Sequence, residues 1–438
     1  MMNRKSLLVL FLLLAAPLGV VAAEAKVEAI DFVWSAHRAF FDFVGKEDHQ
    51  VIAYYDASRH MSVAHRESNK PWHFQKLPSY LGWDSHNAVV VGIDEAGHIH
   101  VAGNMHNDPL VYFRSDEPYN VRSLRQFATM AGGVEEAKVT YPHFFNGPDG
   151  RLYFKHRYGS SGNGVELYKA FDTETLEWRQ LHQTAFVDGE GERNGYFAGP
   201  TLEQDGWFHL AWVWRETPSA NTNHDVSYAR SRDLLSWETS DGNPLKLPIR
   251  LATAEVVDAV QVGGGLLNGN TPVGLDPKGR PMIAYQKYGP DGNSQVFLSR
   301  KESSGWKSVQ VSNIDDYRAD LDRTGALALD LYTKTAPFFN EDNEIIVRAE
   351  FRGDNLEFIL DSETLAVREQ RKFDRYPASV QADDLDNGIA LHIRPLRRSG
   401  DASREWFIAW EAQRPNRDRA RETISPPSTL RLHYVPAE

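Results

Sequence analysis

The sequence contains no cysteine among its 438 residues. This absence excludes disulfide bonds, thiolate metal sites and cysteine nucleophiles. Basic residues are in the minority, because 48 Lys and Arg stand against 60 Asp and Glu and give a formal net charge of −12. Nucleic-acid surfaces usually carry a basic excess, so we expect no nucleic-acid partner. The Gly-rich phosphate loop, the His-Glu-x-x-His motif and the Gly-x-Ser-x-Gly motif are also missing, which removes the usual signals of several enzyme classes.

Long apolar runs are missing except at the N-terminus. Two basic residues at positions 4–5 precede an apolar run over 7–14, and two small residues at 22–23 offer a cleavage site. This pattern predicts a signal peptide over residues 1–23. The apolar run is too short to span a membrane. We therefore expect a secreted or periplasmic protein with no membrane partner, whose remaining residues, 24–438, form a single domain.

An internal repeat is the main feature of the rest of the chain. The repeated unit is an apolar strand, an acidic or glycine turn and a second apolar strand, followed by a third and often a fourth strand. Degenerate units precede and follow the clear ones, so the count is seven. Such units predict an all-β fold, a seven-bladed β-propeller of four-stranded antiparallel blades, since a β-solenoid usually has shorter repeats. The first two strands of the clear units, with the turn between them, span residues 86–104, 141–157, 199–215, 271–288 and 336–351.

The repeat brings four polar residues together. In a hairpin, the start of the first strand and the end of the second lie side by side, opposite the turn. His86 and His106 occupy these two positions in one unit, and Tyr141 and Arg157 occupy them in the next. All four should therefore lie on one face of the disc near its axis, where propellers usually carry ligand sites.

The same rule adds candidates for substrate binding. Each of them alone is more often a hydrogen-bonding or ion-paired strand end than a functional residue, and only the joint placement favours a site. The Gly-rich run over 159–164 is expected to form a close-approach loop beside the cleft. The substrate-binding candidates are Asn87, Asn104, Lys155, Tyr158, Arg215, Asn268 and Lys287, and the rule also brings Tyr196, Asn270 and Tyr288 to this face.

This set of side chains favours elimination over hydrolysis. Glycoside hydrolysis normally uses two carboxylates, and no Asp or Glu recurs at these positions. Sialidases use a Tyr with a cluster of arginines, and here the arginines lie on scattered blades. β-Elimination of a uronic-acid polysaccharide needs a cation to neutralise the carboxylate, a base for the C5 proton and an acid for the departing O4.

The four residues can supply these functions. Arg157 offers a permanently charged carboxylate clamp. Histidine and tyrosine can act as base and acid, with a Tyr141 pKa lowered beside the arginine. Which of Tyr141, His86 and His106 is the base stays open. No metal or organic cofactor is required by this chemistry.

Three segments carry a family resemblance. WDSHNAVVVGIDEAGHIHVAGNMHNDPLVYFRS (83–115), TYPHFF (140–145) and FKHRYGSSGNG (154–164) resemble the seven-bladed propeller ulvan lyases, polysaccharide lyases of the neuraminidase-repeat superfamily. The resemblance implies cleavage between sulfated rhamnose and glucuronate or iduronate in a green-algal polysaccharide, leaving a 4,5-unsaturated uronate. It also implies catalytic roles for the four residues that match the family's own, which are His86, His106, Tyr141 and Arg157.

The resemblance sets the expectations for ligands and leaves two alternatives. The expected partner is an anionic sulfated polysaccharide, ulvan or a related rhamnose–uronate polymer, bound by a monomer. Some family members hold a structural metal partly through cysteine, which this chain lacks, so His224 and Asp225 are only the first candidates for such an ion. The alternatives are a rhamnosidase-like hydrolase on the same propeller and a propeller that binds carbohydrate without catalysis.

Overall fold

The computed structural model of the chain is dominated by β-strands. Within the residues that it describes, no helix is long and apolar enough to cross a membrane. The predicted signal peptide over 1–23 and Asn270 lie outside these residues, so the signal peptide stays a prediction. The described residues are 26–268, 271–322, 327, 329–333, 335–374, 376, 380, 388–398, 404–416 and 418–436.

Most strands pair with their neighbour in sequence and run antiparallel to it. In the first part of the chain they are β1 (Lys26–Val33), β2 (Asp42–Lys46), β3 (His49–Tyr55), β4 (His60–Glu67), β5 (His73–Tyr80), β6 (Val89–Ile93), β7 (Ile99–Gly103), β8 (His106–Asp108), β9 (Tyr112–Ser115), β10 (Leu124–Phe127), β11 (Val139–Asn146), β12 (Leu152–Ser160), β13 (Asn163–Asp172), β14 (Glu177–Gln180), β15 (Val187–Asp188), β16 (Asn194–Leu202) and β17 (Phe208–Arg215).

The second part of the chain continues the pattern with shorter connecting strands. Its strands are β18 (Asn223–Ser231), β19 (Trp237–Glu238), β20 (Pro244–Leu245), β21 (Glu255–Asp258), β22 (Val273–Leu275), β23 (Pro281–Tyr288), β24 (Ser294–Glu302), β25 (Gly305–Gln310), β26 (Leu331–Thr333), β27 (Phe338–Phe339), β28 (Ile345–Phe351), β29 (Asp354–Leu360), β30 (Val367–Lys372), β31 (Ile389–Pro395), β32 (Arg397–Arg398), β33 (Arg404–Gln413) and β34 (Ser428–Pro436). Short 3₁₀ helices lie at Val121–Ser123, Val134–Ala137, Ala220–Thr222 and Leu251–Thr253.

Within the described residues these strands form seven sheets, and the predicted all-β propeller is confirmed. Neighbouring sheets contact one another through inner strands such as β2, β6 and β11. Sheets 2, 5 and 7 have four strands, and the others carry additional short strands. The orders are β32-β2-β3-β4-β5 (sheet 1), β6-β7-β9-β10 (sheet 2), β8-β11-β12-β13-β14 with β15 (sheet 3), β16-β17-β18-β19-β20 with β21 (sheet 4), β22-β23-β24-β25 (sheet 5), β26-β28-β29-β30 with β27 (sheet 6) and β31-β33-β34-β1 (sheet 7).

Sheet 7 closes the ring with both ends of the described chain. The N-terminal strand β1 pairs antiparallel with the C-terminal strand β34, from Lys26 opposite Tyr434 to Val33 opposite Ser428. This pairing settles how the last blade closes, which the repeat leaves open because β1 lies outside the repeated units. The segment between β1 and β2 is thereby anchored next to the candidate site.

The core lies between the faces of adjacent sheets. Every residue of β17 is buried, because this strand is covered on both faces. Successive side chains of a strand point to opposite faces, so Trp212 packs with Tyr168 of sheet 3 while Val213 packs with Tyr285 of sheet 5. The apolar side chains of β17 therefore pack into the cores on both faces of sheet 4. Only the strand ends are free to carry polar side chains.

Candidate functional site

A pair of histidines shares one carboxylate at the open end of sheet 2. His86 lies in the turn before β6 and His106 begins β8, and their rings stack with centroids 4.4 Å apart. Asp84 lies beside both rings, with Oδ1 2.8 Å from Nδ1 of His86 and Oδ2 2.6 Å from Nδ1 of His106. Each oxygen of this carboxylate therefore holds one imidazole.

The charge of Asp84 determines how the two rings are oriented. Burial opposes ionisation of this carboxyl, but hydrogen bonds from His106 and His86 outweigh burial and hold the pKa of Asp84 far below its usual range. A carboxylate can only accept hydrogen bonds. Both Nδ1 atoms must therefore donate, and the two Nε2 atoms remain for a bound molecule.

A second carboxylate comes from the C-terminal part of the chain. Oδ1 of Asp418 accepts hydrogen bonds of 2.8 Å from the backbone N–H and from Oγ of Ser85. Its Oδ2 lies 3.9 Å from Nδ1 of His86. The turn that carries His86 is thus fastened to a residue more than three hundred positions later in the chain.

Tyr141 reaches the histidines through an irregular strand. Short strand β8 pairs with β11 so that His106 lies opposite Thr140, and the register of β11 with β12 then shifts between Thr140 and His143. In this bulge Tyr141 adopts a φ of 54°, a conformation that costs energy for a residue with a Cβ. The residue as a whole is 44% exposed, and its ring lies 6.0 Å from the ring of His106.

Arg157 lies next to Tyr141 and has no carboxylate partner among the described residues. Arg157 in β12 is paired with Thr140 in β11. Its Cζ lies 4.9 Å from the Tyr141 ring. The side chain is buried, yet its Nε and Nη1 have no hydrogen-bond partner among the described residues. The guanidinium is therefore desolvated and uncompensated, which is costly for a buried charge unless a ligand supplies the partner.

Arg215 is a second buried cation beside the first. Its Nε donates to Oδ1 of Asn223 at 2.7 Å, its Nη1 to the Tyr196 hydroxyl at 3.3 Å, and its Nη2 to Oδ1 of Asn268. All of these partners are neutral. The Tyr196 ring lies 4.3 Å from Cζ of Arg215 and 6.0 Å from Cζ of Arg157, so it links the two arginines.

Two of the other buried arginines are compensated by carboxylates, whereas Arg114 donates from Nη1 to the carbonyl of Leu176 and has no carboxylate partner among the described residues. Arg300 pairs with Glu302 at 2.7 Å, and Arg66 pairs with Glu28 at 2.8 Å. Arg157 and Arg215 lack such a partner in the described part of the chain. Because they lie side by side, the arrangement forms a recess of positive charge in an acidic protein, suited to a carboxylate.

The two tyrosines of the recess titrate differently. Burial raises the pKa of Tyr141, and the nearby Arg157 only partly offsets it. Burial also acts on Tyr196, but the charge of Arg215 and a hydrogen bond with Ser161 outweigh it and lower its pKa. The expectation of a lowered pKa is therefore wrong for Tyr141, and the lowered value belongs to Tyr196.

Asn87 and Asn104 flank the histidine pair, as the sequence predicts. Asn87 is buried, and its Oδ1 has no hydrogen-bond partner among the described residues. Asn104 donates through Nδ2 to Oγ of Ser79 at 2.7 Å, and its Oδ1 also lacks a described partner. Both oxygens are enclosed by the protein, so a role for these amides in substrate binding stays a prediction.

The remaining predicted contacts are farther from the recess or already engaged. Lys155 forms a buried ion pair of 3.0 Å with Glu166, and Lys287 forms one of 2.5 Å with Asp258. Tyr158 is half-buried at the end of β12. The structure therefore brings together His86, His106, Tyr141, Arg157, Arg215 and Asn268 in one run of contacts, and its contacts do not join the two lysines to them.

The predicted close-approach loop contributes to the recess. Oγ of Ser161 lies 2.7 Å from the Tyr196 hydroxyl. Gly162 has a φ of 76°, and a Cβ there would lie 2.8 Å from the backbone of Thr217. The loop thus needs glycine to pack against the neighbouring segment while its serine supports Tyr196.

Two groups bear on metal binding. His224 lies between carboxylates, with Nε2 2.7 Å from Glu216 and Nδ1 3.0 Å from Asp225. Burial disfavours its protonation, but these hydrogen bonds outweigh burial and raise the pKa of His224, which suits a protonated ring in an ion pair.

The other group is the histidine pair itself. Asp84, His86 and His106 offer ligand atoms within 4.8 Å of one another. Both Nδ1 atoms nevertheless lie at hydrogen-bond distance from the carboxylate oxygens, a geometry that fits N–H···O bonds. Asp84 could have been found from the sequence, because it lies in the Trp-Asp-Ser-His-Asn segment, whereas nothing in the sequence points to Asp418.

The chain is similar to known proteins in family and in fold. A model of the BNR repeat-containing family matches residues 49–314. The crystal structure of polysaccharide lyase Uly1 is similar with a TM-score of 0.65 and 12% identity, covering 95% of this chain and 99% of that chain. A structure of a PL25 ulvan lyase gives a TM-score of 0.58 and 13% identity, covering 92% and 94% of the two chains.

A second PL25 ulvan lyase structure, bound to -[GlcA(1-4)Rha3S]-, gives a TM-score of 0.57 with 12% identity over 92% of this chain and 94% of that chain. A search of the curated proteins finds no match to the sequence. The predicted resemblance to propeller ulvan lyases is thus confirmed in fold.

Proposed function

We propose that this chain, which belongs to the BNR repeat-containing family, is an exported polysaccharide lyase. It cleaves rhamnose–uronate linkages of ulvan by β-elimination and leaves 4,5-unsaturated uronate ends. The observation that carries the proposal is the pair of uncompensated buried arginines, Arg157 and Arg215, beside a tyrosine and two histidines with free Nε2 atoms. The predicted signal peptide supports export.

Arg157 neutralises the uronate carboxylate. The C5 proton is acidic enough for removal only when the charge of the adjacent carboxylate is balanced. The planar guanidinium of Arg157, whose Nε and Nη1 have no partner among the described residues, can bind both oxygens of a carboxylate through a parallel pair of N–H donors. Arg215, held by three neutral partners, adds a second positive charge on the same side.

The histidines and the tyrosine move the protons. Asp84 keeps hydrogen on both Nδ1 atoms, so Nε2 of His86 or His106 has a lone pair to accept the C5 proton. The electron pair of the C5–H bond then forms the C4–C5 double bond while the C4–O4 bond breaks. Tyr141, whose pKa is raised by burial, holds its proton at neutral pH and donates it to the departing O4.

The test is to mix the purified protein with ulvan and follow the ultraviolet absorbance of the conjugated uronate. We expect the absorbance to rise with each bond broken. New reducing ends without the absorbance would assign the protein to the hydrolases instead. Binding of ulvan with neither product would identify a carbohydrate-binding propeller.

A further inference from the structure

Another arginine without a described carboxylate partner lies in a segment that contacts the chain just after His86. Arg38 belongs to the segment between β1 and β2. The N–H of Phe40 donates to the carbonyl of Asn87 at 3.3 Å, and Phe40 forms a parallel bridge with Ala88. The bridge joins the residue two positions after Arg38 to the residue two positions after His86, so it ties the two segments together near both residues.

The surroundings of Arg38 are the inner strands of the propeller. Burial lowers the pKa of Arg38, and Tyr332 of β26 is close enough to act on it. The pKa of His392 in β31 is lowered to about 4 by burial and by the charge of Arg38. The guanidinium therefore faces the axis, where sheets 6 and 7 approach the segment.

The guanidinium of Arg38 is free to bind an anion. Its Cζ lies 4.1 Å from the ring of Phe40, which is 39% exposed. Among the described residues, no carboxylate lies within ion-pair distance of it, and none of them forms a hydrogen bond with it. A guanidinium has five N–H donors in a planar fork, and here no described residue accepts from them beside an apolar ring.

We propose that Arg38 and Phe40 form a subsite for an oxyanion on a sugar next to the cleaved linkage, either an ester sulfate or a second uronate carboxylate. This inference rests on the proposed function. The contacts run in order from Arg157 through Tyr141 and His106 to His86, and the Phe40–Ala88 bridge ties the segment of Arg38 to this end of the run. A polymer held by Arg157 at the cleavage point and extending past the histidines thus brings its next charged group to Arg38, with the sugar ring against Phe40.

The experiment measures binding by calorimetry, so it does not depend on turnover. Tyr141→Phe serves as the background to prevent cleavage, and Arg38→Gln and Arg38→Lys are added to it. The probes are native ulvan, chemically desulfated ulvan and carboxyl-reduced ulvan. We expect Arg38→Gln to weaken binding of native ulvan about tenfold, since a hydrogen-bonded charge pair is lost, and Arg38→Lys to recover part of it.

The modified polymers identify the anion. If the sulfate is the ligand, the effect of Arg38→Gln disappears on desulfated ulvan, and if the carboxylate is the ligand, it disappears on carboxyl-reduced ulvan. An unchanged Kd for native ulvan, or the same loss on all three polymers, would overturn the subsite.

Two controls separate the subsite from other causes. Arg179→Gln removes an exposed arginine of the outer strand β14 and should leave the Kd unchanged, and the thermal midpoint of Arg38→Gln should equal that of the background. A wild-type protein that binds ulvan but forms no unsaturated product would refute the lyase proposal while leaving the subsite measurable. Absence of binding by the Tyr141→Phe background would overturn both.

Discussion

Two clusters at opposite ends of the β6–β7 hairpin each contain one aspartate and two histidines, but their surroundings differ. At the open end of the β6–β7 hairpin, Asp84 holds His86 and His106, whose side chains are 21% and 26% exposed. At the turn end, Asp94 lies 2.9 Å from Nδ1 of His98 and 3.4 Å from Nε2 of His100.

At the turn end, the ring of His100 is fully enclosed. Nδ1 of His100 bonds to the Tyr112 hydroxyl at 2.7 Å, and its ring packs at right angles to Phe171 and Trp178. Burial lowers the pKa of His100 to about 4. At the open end, in contrast, Nδ1 is used by Asp84 and Nε2 is not used by any described residue. The clusters therefore differ in their neighbours: His100 is enclosed by aromatic side chains, whereas the half-buried His106 lies next to Tyr141.

The largest expected difference between the clusters is in turnover. His106→Ala removes a ring with a free Nε2, and we expect kcat for unsaturated-uronate formation to fall by about 10²–10⁴-fold, the usual contribution of general acid–base catalysis. His98→Ala, in the cluster of Asp94, should leave kcat unchanged. Equal losses of turnover in the two variants, with both folded by circular dichroism, would contradict the distinction.

The buried cluster should instead control stability in acid. The pKa of His100 is about 4 in the folded protein, below the 6.5 of an unperturbed histidine, so the unfolded chain binds the proton more readily. The free energy of unfolding is therefore highest above pH 6.5 and falls as the pH approaches 4, by roughly 3 kcal/mol from this residue.

Urea unfolding of the wild type and of His100→Gln between pH 4 and 7 measures this contribution. The variant should lose less stability on acidification, because it no longer carries the proton acceptor. Other buried histidines titrate in both proteins, so only the difference between the two curves belongs to His100. Parallel curves would show that this ring does not control the pH dependence.

Replacing the aspartate should also affect the two clusters differently, with a smaller effect on kcat than the loss of His106. In Asp84→Asn, the amide can donate a hydrogen bond to one ring, which allows that histidine to carry its hydrogen on Nε2. We expect kcat to fall at least about tenfold, with a changed pH–rate profile, because the base is in the wrong tautomer. Asp94→Asn should lower the melting temperature and keep the pH–rate profile. A profile that stays the same in Asp84→Asn would indicate a role in folding alone.

The sequence predicts the propeller because each repeat contains its own hairpins, and hairpin geometry places His86, Tyr141 and Arg157 at one end of their strands. It does not predict closure by β1, since that strand pairs with residues some four hundred positions away. Hairpin position separates the two histidine pairs, because His98 and His100 follow the turn, but it does not reveal that Asp84 and Asp94 each hold two rings. The packing of His100 against Phe171 and Trp178 is also not visible in the sequence.

The irregular parts of the site escaped prediction for a related reason. The bulge at Tyr141 and the contact of Asp418 with Ser85 depend on tertiary packing rather than on a local pattern. The expected lowering of a tyrosine pKa followed from an adjacent arginine, but burial outweighs that charge at Tyr141. At Tyr196 a nearer arginine and a hydrogen bond with Ser161 reverse the balance.

The smallest expected effect concerns two cations that hairpin position alone makes equivalent. Lys287 and Arg215 both end the second strand of a unit, but Lys287 is paired with Asp258 at 2.5 Å and lies over the Phe297 ring, whereas Arg215 has only neutral partners. We expect Lys287→Met to change KM and kcat by less than about twofold, because its charge is already balanced. Arg215→Met should raise KM for ulvan roughly tenfold. An increase in KM of the same size for Lys287→Met would mean that the lysine leaves Asp258 to bind substrate. A missing carboxylate partner would then not distinguish the functional cation from the structural one in this pair.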